Sequence, residues 1–484
     1  MATPATRTER LVQRLGGAVD GELTVGGGPV GRVAAQVGTP FYAYHGEAIV
    51  AQARRVQAAL GPETELCYSL KANPSLGICQ LLAREGLGAE VASGGELLLA
   101  QRAGFPPERT LFAGPGKRDA ELEAAVRHGL LAVNAESPGE VERLGGVARR
   151  LGATARVALR VNPALAVRGA GMRMGGGPQQ FGMDEEQLPE VVAALRQHPH
   201  LRLAGLHVYA GTQLFDVEAL LAHCHRMVDL ALEAATALGR PLEVLDLGGG
   251  FGVPYFEGTP EFDLEAFAAG YRGVVRRCQG DPLLARARLV VELGRYLVAE
   301  AGVYVARVVD VKMSRGRSFV VTDGGMHHHS AATGNFGQVF RKPYPVALVG
   351  RLDAPQDGAW SLVGPCCTPL DTFGHDLPLP APQVGDLVGV LASGAYGYSA
   401  SPLAFLSHPT PAEVLVWRGQ THVLRPPGAF QQALEGQRGL DASALEPREA
   451  GASGVGAPAS RGPARRWMRD PALPERSEGP RRPR

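Results

Sequence analysis

The feature that most restricts the possible folds is a regular alternation of short apolar runs and amphipathic stretches between about residues 40 and 295. Each run has the length and residue types of a buried strand, and stretches such as 94–104 (GGELLLAQRAG) repeat apolar residues at helical spacing. Eight such units in succession predict an α/β fold, a (β/α)8 TIM-like barrel. The strand cores are expected at residues 66–70, 89–92, 110–113, 130–133, 157–161, 204–209, 243–247 and 289–293.

Polar and glycine residues follow several of these strands directly. They are Lys71 after the first strand, Gly248, Gly249 and Gly250 after the seventh, and Gly294 and Arg295 after the eighth. In barrels of this kind the carboxyl ends of the strands carry the active site. We therefore expect these residues to meet at one end of the barrel.

After residue 300 the apolar pattern changes to the period of β-strands, separated by Gly, Pro and Asp turns. This predicts a mostly antiparallel β-barrel domain with strands in 303–311, 318–324, 344–350, 386–392 and 413–419. The predicted organisation is an N-terminal segment (1–37) that partly joins the β-domain through 21–25, a barrel (38–298), the β-domain (299–425) and a disordered tail rich in Arg, Pro and Gly (426–484).

The composition argues against several classes of function. A 484-residue chain with 45% hydrophobic residues, 20% charged residues and a net charge of +1 has no reason to bind nucleic acid or an anionic membrane. The first residues lack the apolar core of a secretory signal, and no later segment offers about 18 unbroken apolar residues. We expect a cytoplasmic protein with six reduced cysteines.

Lysine usage is unusual and informative. Only four of the 49 basic residues are lysines: Lys71, Lys117, Lys312 and Lys342. Arginine can supply a positive charge, but only an amine can form a Schiff base. Lys71, at the end of the first predicted strand, is therefore a candidate for a residue whose amine is needed.

The segment around Lys71, YSLKANP (68–74), resembles the YxxKAN motif of the fold-type III decarboxylases that depend on pyridoxal phosphate, the family of diaminopimelate and ornithine decarboxylases. Further segments follow in the family's order: GTPFYAY (38–44), EVASGGEL (90–97), GGGFG (248–252), ELGRYLVAEAG (292–302), GPCCTPLD (364–371) and GAYGYS (394–399). The resemblance covers most of residues 38–418. It implies that Lys71 holds pyridoxal 5'-phosphate as a Schiff base.

The resemblance also assigns the remaining cofactor contacts. Gly248, Gly249, Gly250 and Gly294 allow the backbone to approach the phosphate, and Arg295 and Tyr396 contact it. Glu292 takes the place of the carboxylate that keeps the pyridine nitrogen protonated. In HVYAGTQ (207–213), Tyr209 replaces the family's histidine that stacks on the cofactor ring, and Thr212 keeps the hydroxyl near the phosphate.

Aligning GPCCTPLD with the family places Cys367 at the cysteine that protonates the product carbanion across a dimer interface. The resemblance therefore implies a homodimer with shared active sites and an inactive monomer. Cys366 is expected to be a buried structural thiol.

The residue after this cysteine differs from that in relatives with diamino substrates, which carry an acid there. This chain has Thr368, so a free substrate ammonium would lose a charged hydrogen bond on burial. Asp323 aligns with another substrate-side acid in some relatives. The substrate is therefore expected to be an amino acid without a free distal amine, or an aminoacyl group on an acyl carrier protein.

Two further segments, 171–184 and the histidine-rich 324–338, resemble a branch that includes exosortase-associated decarboxylases and the butirosin-type decarboxylase of a glutamyl carrier protein. On an extended strand only His327 and His329 of the triplet His327-His328-His329 could face the same way. Because no Cys or spaced carboxylate completes a ligand set, we expect them to contact the substrate and expect no metal site.

Three alternative functions are open. The first is diaminopimelate decarboxylase, which produces lysine. The second is a catalytically inactive homologue with a binding or regulatory role, against which Lys71, Arg295 and Cys367 argue. The third is an alanine-racemase-like activity, which would not explain the presence of the GPCC segment.

Overall fold

The computed structural model describes residues 5–164, 172–173, 177–209, 211–338 and 341–441. Eight parallel strands form a closed barrel, since the fifth strand pairs with both the fourth and the sixth and the eighth pairs with the first. The strands are Thr64–Ser69, Gly88–Val91, Thr110–Phe112, Ala132–Ala135, Ala155–Asn162, Leu201–His207, Val244–Gly249 and Arg288–Leu293. All eight predicted strands are confirmed, with ends that differ by three residues or fewer.

Helices follow the barrel strands, and local sequence signals define their ends. Ser93 accepts a hydrogen bond from the Glu96 N–H at one helix start, and Gly104 ends the same helix in the left-handed conformation. The helices before and after the strands are Gly46–Leu60, Leu76–Arg84, Gly94–Ala103, Asp119–His128, Pro138–Arg150, Leu188–Arg196, Val217–Leu238, Leu264–Gln279 and Arg295–Val298.

A buried apolar cluster made mostly by barrel strands is separate from the larger core. Because strand residues alternate in direction, small and branched side chains from different strands can meet within the barrel. The cluster consists of Cys67, Leu111, Leu131, Ala132, Ala158, Ala204, Val244 and Val290. The polar residues at the carboxyl ends of the strands are therefore supported by a tightly packed apolar layer inside the barrel.

A second, mixed and mostly antiparallel sheet has nine strands. Phe41–His45 lies between Gly302–Ser314 and Ala412–Trp417, antiparallel to the first and parallel to the second. The remaining strands are Arg317–Thr322, Val346–Leu348, Gly358–Val363, Thr372–Leu379, Leu387–Val390 and Gln420–Arg425. The predicted β-rich second part of the chain is confirmed.

The structure differs from the sequence expectations at the edges of this second sheet. Phe41–His45 was expected to open the barrel region, but it pairs in the second sheet, because a short apolar run does not specify which sheet it joins. Strands Gly358–Val363, Thr372–Leu379 and Gln420–Arg425 were not predicted, since Gly, Pro and His interrupt their alternation. The predicted domain boundaries stay predictions.

The N-terminal segment forms helices Arg7–Leu15 and Val30–Val37 around a small sheet of Ala18–Val19, Glu22–Val25 and Gly28–Pro29. The strand expected at 21–25 pairs inside this sheet, and the Leu23 N–H donates to the Val349 carbonyl at 2.7 Å. Shorter pairings join Met172–Arg173 to Gly211–Thr212 and Met183–Asp184 to the fifth barrel strand.

The described residues up to 433 belong to one compact unit, and those from 434 to 441 belong to a second. The described residues of the second unit, 434–441, are exposed. Most of the predicted disordered tail, from 442 onward, lies outside the described residues. Within the described ranges, every helix is too short or too polar to cross a membrane.

Candidate active site

Lys71 lies where the first barrel strand ends and a 3-10 turn, Leu70–Ala72, begins. The turn is fixed from both sides by hydrogen bonds. The Tyr68 hydroxyl donates to the Asn73 carbonyl at 2.9 Å, and the Tyr396 N–H donates to the Ala72 carbonyl at 2.7 Å. The loop that carries Tyr396 therefore holds the lysine turn in place.

The Lys71 amine is paired with a buried acid that was not predicted as a site residue. Its Nζ lies 3.1 Å from Glu90 Oε2 and 5.3 Å from the centre of the Tyr209 ring. Burial lowers the pKa of Lys71, but Glu90 together with Tyr209, Tyr396 and Glu292 raises it by more, so the pKa lies above its ordinary value. Glu90 is the first residue of the segment EVASGGEL (90–97) and lies near the end of the strand Gly88–Val91, and this position was the available signal.

Lys71 lines a cavity of about 290 Å³ at the carboxyl end of the barrel. Eight of the predicted cofactor residues line it: Lys71, Tyr209, Thr212, Gly250, Glu292, Gly294, Arg295 and Tyr396. The other lining residues are Ser69, Phe251, Leu293 and Tyr296, each next to a predicted residue or two positions from one. Residues separated by more than 320 positions in the sequence thus share one pocket.

Glu292 presents an unsatisfied oxygen at this cavity. Its side chain is buried, and within the described part of the chain its Oε1 has no hydrogen-bond partner. Glu292 Oε2 lies 3.6 Å from His207 Nε2. Burial raises the pKa of Glu292, but His207, Asp246 and Lys71 lower it to about 2, so the group is a carboxylate.

Asp246 is the second acid beside His207. Its Oδ2 lies 4.0 Å from His207 Nε2, and burial together with the neighbouring Glu292 charge raises the pKa of Asp246 well above its ordinary value. Two carboxylates this close do not both ionise readily, so Asp246 keeps the proton and Glu292 the charge. His207 and Asp246 were not predicted as site residues. His207 ends the sixth strand and is the first residue of HVYAGTQ (207–213), and Asp246 lies within the seventh strand, two positions before GGGFG (248–252).

The glycine loop after the seventh strand is required by close backbone packing. Gly248 and Gly250 have φ of +65° and +87°, in the left-handed region that favours glycine. A Cβ at Gly248 would collide with the Val208 carbonyl, and one at Gly250 with the Gly211 carbonyl. Gly250 lines the cavity, so this loop brings bare backbone to it.

Arg295 supplies the positive charge on the same side of the cavity. It is the first residue of the short helix Arg295–Val298, and its guanidinium lies 4.7 Å from the centre of the Tyr396 ring. Tyr396 has φ of +53°. A buried guanidinium beside an aromatic ring is a fixed donor for an anionic group.

Apart from Tyr396, the predicted residues outside the barrel do not line this cavity in the single chain. Cys367 is exposed and Thr368 is half-buried. Asp323 is occupied at both oxygens, since the Thr39 hydroxyl donates to Oδ2 at 2.6 Å and the Arg307 N–H to Oδ1 at 2.8 Å. Their predicted roles stay predictions.

The histidine triplet does not form an extended strand. Residues 326–328 form a turn, which places the His327 and His328 rings 3.6 Å apart between centres. His329 is fully buried, and its Nε2 lies 2.9 Å from Ser393 Oγ. Neither His327 nor His329 lines the cavity, and their contact with a substrate stays a prediction.

The prediction that no cysteine joins these histidines is wrong. Cys366 is buried as expected, but its Sγ lies 3.0 Å from His327 Nδ1. The sequence separates these residues by 39 positions, so only the pairing of the second sheet brings them together.

A barrel with a lysine, a carboxylate and an arginine at its carboxyl end defines a class of cofactor enzyme, and comparison with known proteins identifies it. Residues 46–299 match the family model of the pyridoxal-dependent decarboxylases, pyridoxal binding domain. The chain belongs to this family, so the expected cofactor, pyridoxal phosphate, and the expected decarboxylase activity are confirmed.

Particular relatives are similar over most of their length. The chain is 40% identical over 413 residues to the L-glutamyl-[BtrI acyl-carrier protein] decarboxylase of Niallia circulans, covering 84% of this chain and 95% of that protein. It is 32% identical to the diaminopimelate decarboxylase of Zymomonas mobilis, covering 87% and 98%. Diaminopimelate decarboxylase from Helicobacter pylori, crystallised with L-lysine, superposes with a TM-score of 0.75 at 29% identity, covering 84% and 98%.

The cavity fits the cofactor by the chemistry of its donors. An amine, an unpaired carboxylate oxygen and a guanidinium surround one small space. These groups match the aldehyde, the ring nitrogen and the phosphate of pyridoxal phosphate, respectively. Burying the unpaired Glu292 oxygen costs free energy when the cofactor is absent. A protonated ring nitrogen would donate a hydrogen bond to this oxygen and remove the cost.

Proposed function

We propose that this decarboxylase acts on an aminoacyl group carried by an acyl carrier protein, as a homodimer whose two active sites are shared between subunits. The observation that carries the proposal is the cavity in which Lys71, Glu292 and Arg295 meet. The similarity to the L-glutamyl-[BtrI acyl-carrier protein] decarboxylase of Niallia circulans supports the carrier-bound substrate. The predicted cytoplasmic location stays a prediction.

The proposed roles follow from the positions of the side chains. Lys71 holds the cofactor through its amine, and Glu90, 3.1 Å away, keeps that amine oriented. Glu292 holds a proton on the ring nitrogen. Tyr209 covers a ring face. The phosphate is held by Arg295 with Thr212, Tyr396 and the backbone of Gly248, Gly249, Gly250 and Gly294.

When bound, pyridoxal phosphate supplies an electron sink for the bond between the α-carbon and the departing carboxylate. The carboxylate on Glu292 keeps that sink effective, because its pKa of about 2 leaves it ionised at neutral pH. His207 and the protonated Asp246 stabilise this charge from behind. The residues thus divide into those that bind the cofactor and those that set its protonation.

Cys367 is proposed to donate the proton that replaces CO2 on the α-carbon of a substrate in the partner's barrel. Its exposure on the single chain is consistent with a residue that serves a neighbouring subunit. The adjacent Cys366 is buried and turned toward His327, so it is not available for this step.

The substrate side supports a group without a free distal ammonium. Thr368 offers a hydroxyl in place of an acid, and both Asp323 oxygens already accept hydrogen bonds from Thr39 and Arg307. A buried ammonium with no carboxylate partner is costly. The amide-linked or thioester-linked end of a carrier-bound group has no such charge.

Diaminopimelate decarboxylase is the second candidate. The similarity to several diaminopimelate decarboxylases, at 30–36% identity over most of the chain, favours it. It requires the distal amine to be bound by groups other than Thr368 and Asp323.

The deciding experiment is CO2 release from matched substrates after reconstitution with pyridoxal phosphate. The panel contains free L-glutamate, diaminopimelate, and glutamyl groups loaded on a carrier protein, with Lys71→Ala as the control. Release only from the loaded carrier is the expected result. Release from diaminopimelate would replace the proposed substrate, and an absence of the lysine-bound cofactor absorbance in the wild type would overturn the assignment of Lys71.

A further inference from the structure

A second cluster of ligand-type side chains lies outside the cavity around Lys71. It consists of His327, Cys366 and His408, and we call it the His–Cys–His cluster. One ligand atom from each residue lies within 4.8 Å of the others. Cys366 Sγ is 3.0 Å from His327 Nδ1, and the His327 and His408 ring centres are 4.6 Å apart.

Backbone contacts that do not involve the three donors hold the segments of this cluster together. Both oxygens of the buried Asp371 are engaged, one accepting from the Met326 N–H at 2.6 Å and the other from the Cys366 N–H at 2.7 Å. Asp371 therefore joins the histidine turn to the cysteine loop.

The third segment is joined to the histidine turn through a neighbouring ring. His328 Nε2 lies 2.9 Å from the carbonyl oxygen of Pro409, and Pro409 directly follows His408. The donors therefore come from three segments whose spacing is set by other residues. Such preorganisation by supporting contacts is typical of metal sites.

One buried donor atom in the cluster is unsatisfied. His327 has no exposed surface, and its Nε2 has no hydrogen-bond partner among the residues that the structure describes. Leaving a buried polar atom unpaired costs about 1–3 kcal/mol. An ion coordinated by Nε2 would remove this cost, whereas an ion coordinated by Nδ1 would leave it.

We propose that the His–Cys–His cluster binds a transition-metal ion of the zinc class through His327, Cys366 and His408, with a fourth position open to water. Two imidazoles and one thiolate are a donor set that zinc accepts in a tetrahedral arrangement. On binding, the Cys366 thiol gives its proton to solvent and a metal–sulfur bond forms.

The separations are close to those of an occupied site. Zinc–sulfur and zinc–nitrogen bonds of about 2.3 and 2.0 Å at a tetrahedral angle place the two donor atoms roughly 3.5 Å apart. The 3.0 Å between Cys366 Sγ and His327 Nδ1 therefore needs a side-chain shift of only about half an ångström if Nδ1 is the ligand.

The proposed ion bears on the loop that carries Cys367. Cys366 and Cys367 are consecutive, so a metal–sulfur bond at Cys366 would fix the backbone next to the proposed proton donor. The site itself does not rest on the proposed substrate or reaction, and its test reads metal binding directly.

The competing explanation is a thiol–imidazole hydrogen bond that needs no ion. Cobalt(II) distinguishes the two, since a cobalt–thiolate bond gives a near-ultraviolet charge-transfer band together with visible bands. Untagged holoenzyme, stripped with a chelator, is titrated with cobalt(II), and the difference spectrum is recorded before zinc(II) is added. We expect one equivalent per chain to develop the bands and zinc(II) to abolish them.

The variants assign the ligands. Cys366→Ser is nearly isosteric and should lose the charge-transfer band, and His408→Asn, at a half-buried position, should weaken cobalt(II) binding at least about tenfold. The matched controls are Cys367→Ser in the same loop and His422→Asn at an exposed position, and both should bind like wild type. Circular dichroism establishes that each variant is folded.

Three outcomes would overturn the site. They are a folded wild type without the charge-transfer band, a band that persists in Cys366→Ser, and a band lost in Cys367→Ser. If Cys366→Ser does not fold, unchanged cobalt(II) affinity in His408→Asn overturns it instead.

Discussion

Among the residues that the structure describes, two clusters each bring three ligand-type groups within 4.8 Å: His207, Asp246 and Glu292 in the barrel, and His327, Cys366 and His408 beside the second sheet. The barrel cluster contains two carboxyl groups and borders a cavity lined by Lys71 and Arg295. The His–Cys–His cluster contains a thiol and no carboxylate.

The difference shows that the neighbours of a cluster, and not the number of its donors, decide which ligand it suits. An ionised Glu292 with an amine and a guanidinium across one small space suits an organic cofactor that carries a phosphate and a protonated ring. A thiol between two imidazoles suits a soft cation. The predictions below separate the two clusters experimentally, from the largest expected effect to the smallest.

Replacing Lys71 should have the largest effect, because no other lysine is among the described residues that line the cavity. Lys71→Ala should lower CO2 release by roughly 10³-fold or more and abolish the lysine-bound cofactor absorbance. The matched control is Lys342→Ala, at an exposed position, which should retain both. Equal activity in the two variants would break the assignment of the barrel as the reaction centre.

The shared active site predicts restored activity in a mixture of two inactive variants. Lys71→Ala and Cys367→Ala should each be nearly inactive, but after subunit exchange one site in each mixed dimer regains both residues. Random exchange gives about a quarter of the wild-type sites. The measurement is CO2 release before and after exchange, and no gain on mixing would place Cys367 outside the partner's site.

Glu292→Gln should lower kcat by roughly 10²-fold, because the neutral amide no longer stabilises a proton on the cofactor ring. The variant should still bind the cofactor through Lys71, so the absorbance of the lysine-bound cofactor should remain. Steady-state kinetics separate the two effects, since a change in KM alone would mean that Glu292 only positions the substrate.

Replacing His223 should have the smallest effect, and it concerns stability and not activity. This histidine is buried in the helix Val217–Leu238, outside both clusters, and burial is the cause of its pKa shift. Burial lowers its pKa from 6.5 to about 4. Between these values the unfolded chain binds a proton that the folded chain does not, so its contribution to stability is present above pH 6.5 and is lost as the pH falls.

His223→Leu should therefore gain stability relative to the wild type by about 1–2 kcal/mol when the pH is lowered from 8 to 5. Denaturant unfolding at the two pH values measures this. A difference that does not depend on pH would mean that the pKa of His223 is the same in the folded and the unfolded chain, so that burial does not lower it.

Much of the fold followed from local patterns. The eight barrel strands appear where apolar runs alternate with helical stretches, because the period of apolar residues reflects which face of an element is buried. Phe41–His45 was assigned to the wrong sheet, because pairing between distant strands leaves no trace in either strand alone. Three strands of the second sheet were missed, because Gly, Pro and His interrupt their alternation.

The same division holds for the sites. Lys71, Glu292, Arg295 and the glycine loop could be found from the sequence, because a chemical requirement restricts the residue type at the end of a strand. Glu90, His207 and Asp246 became visible only when barrel closure placed their side chains together. Cys366 and His408 join His327 through loops whose spacing only the tertiary structure sets, since donor distances depend on packing between segments far apart in the chain.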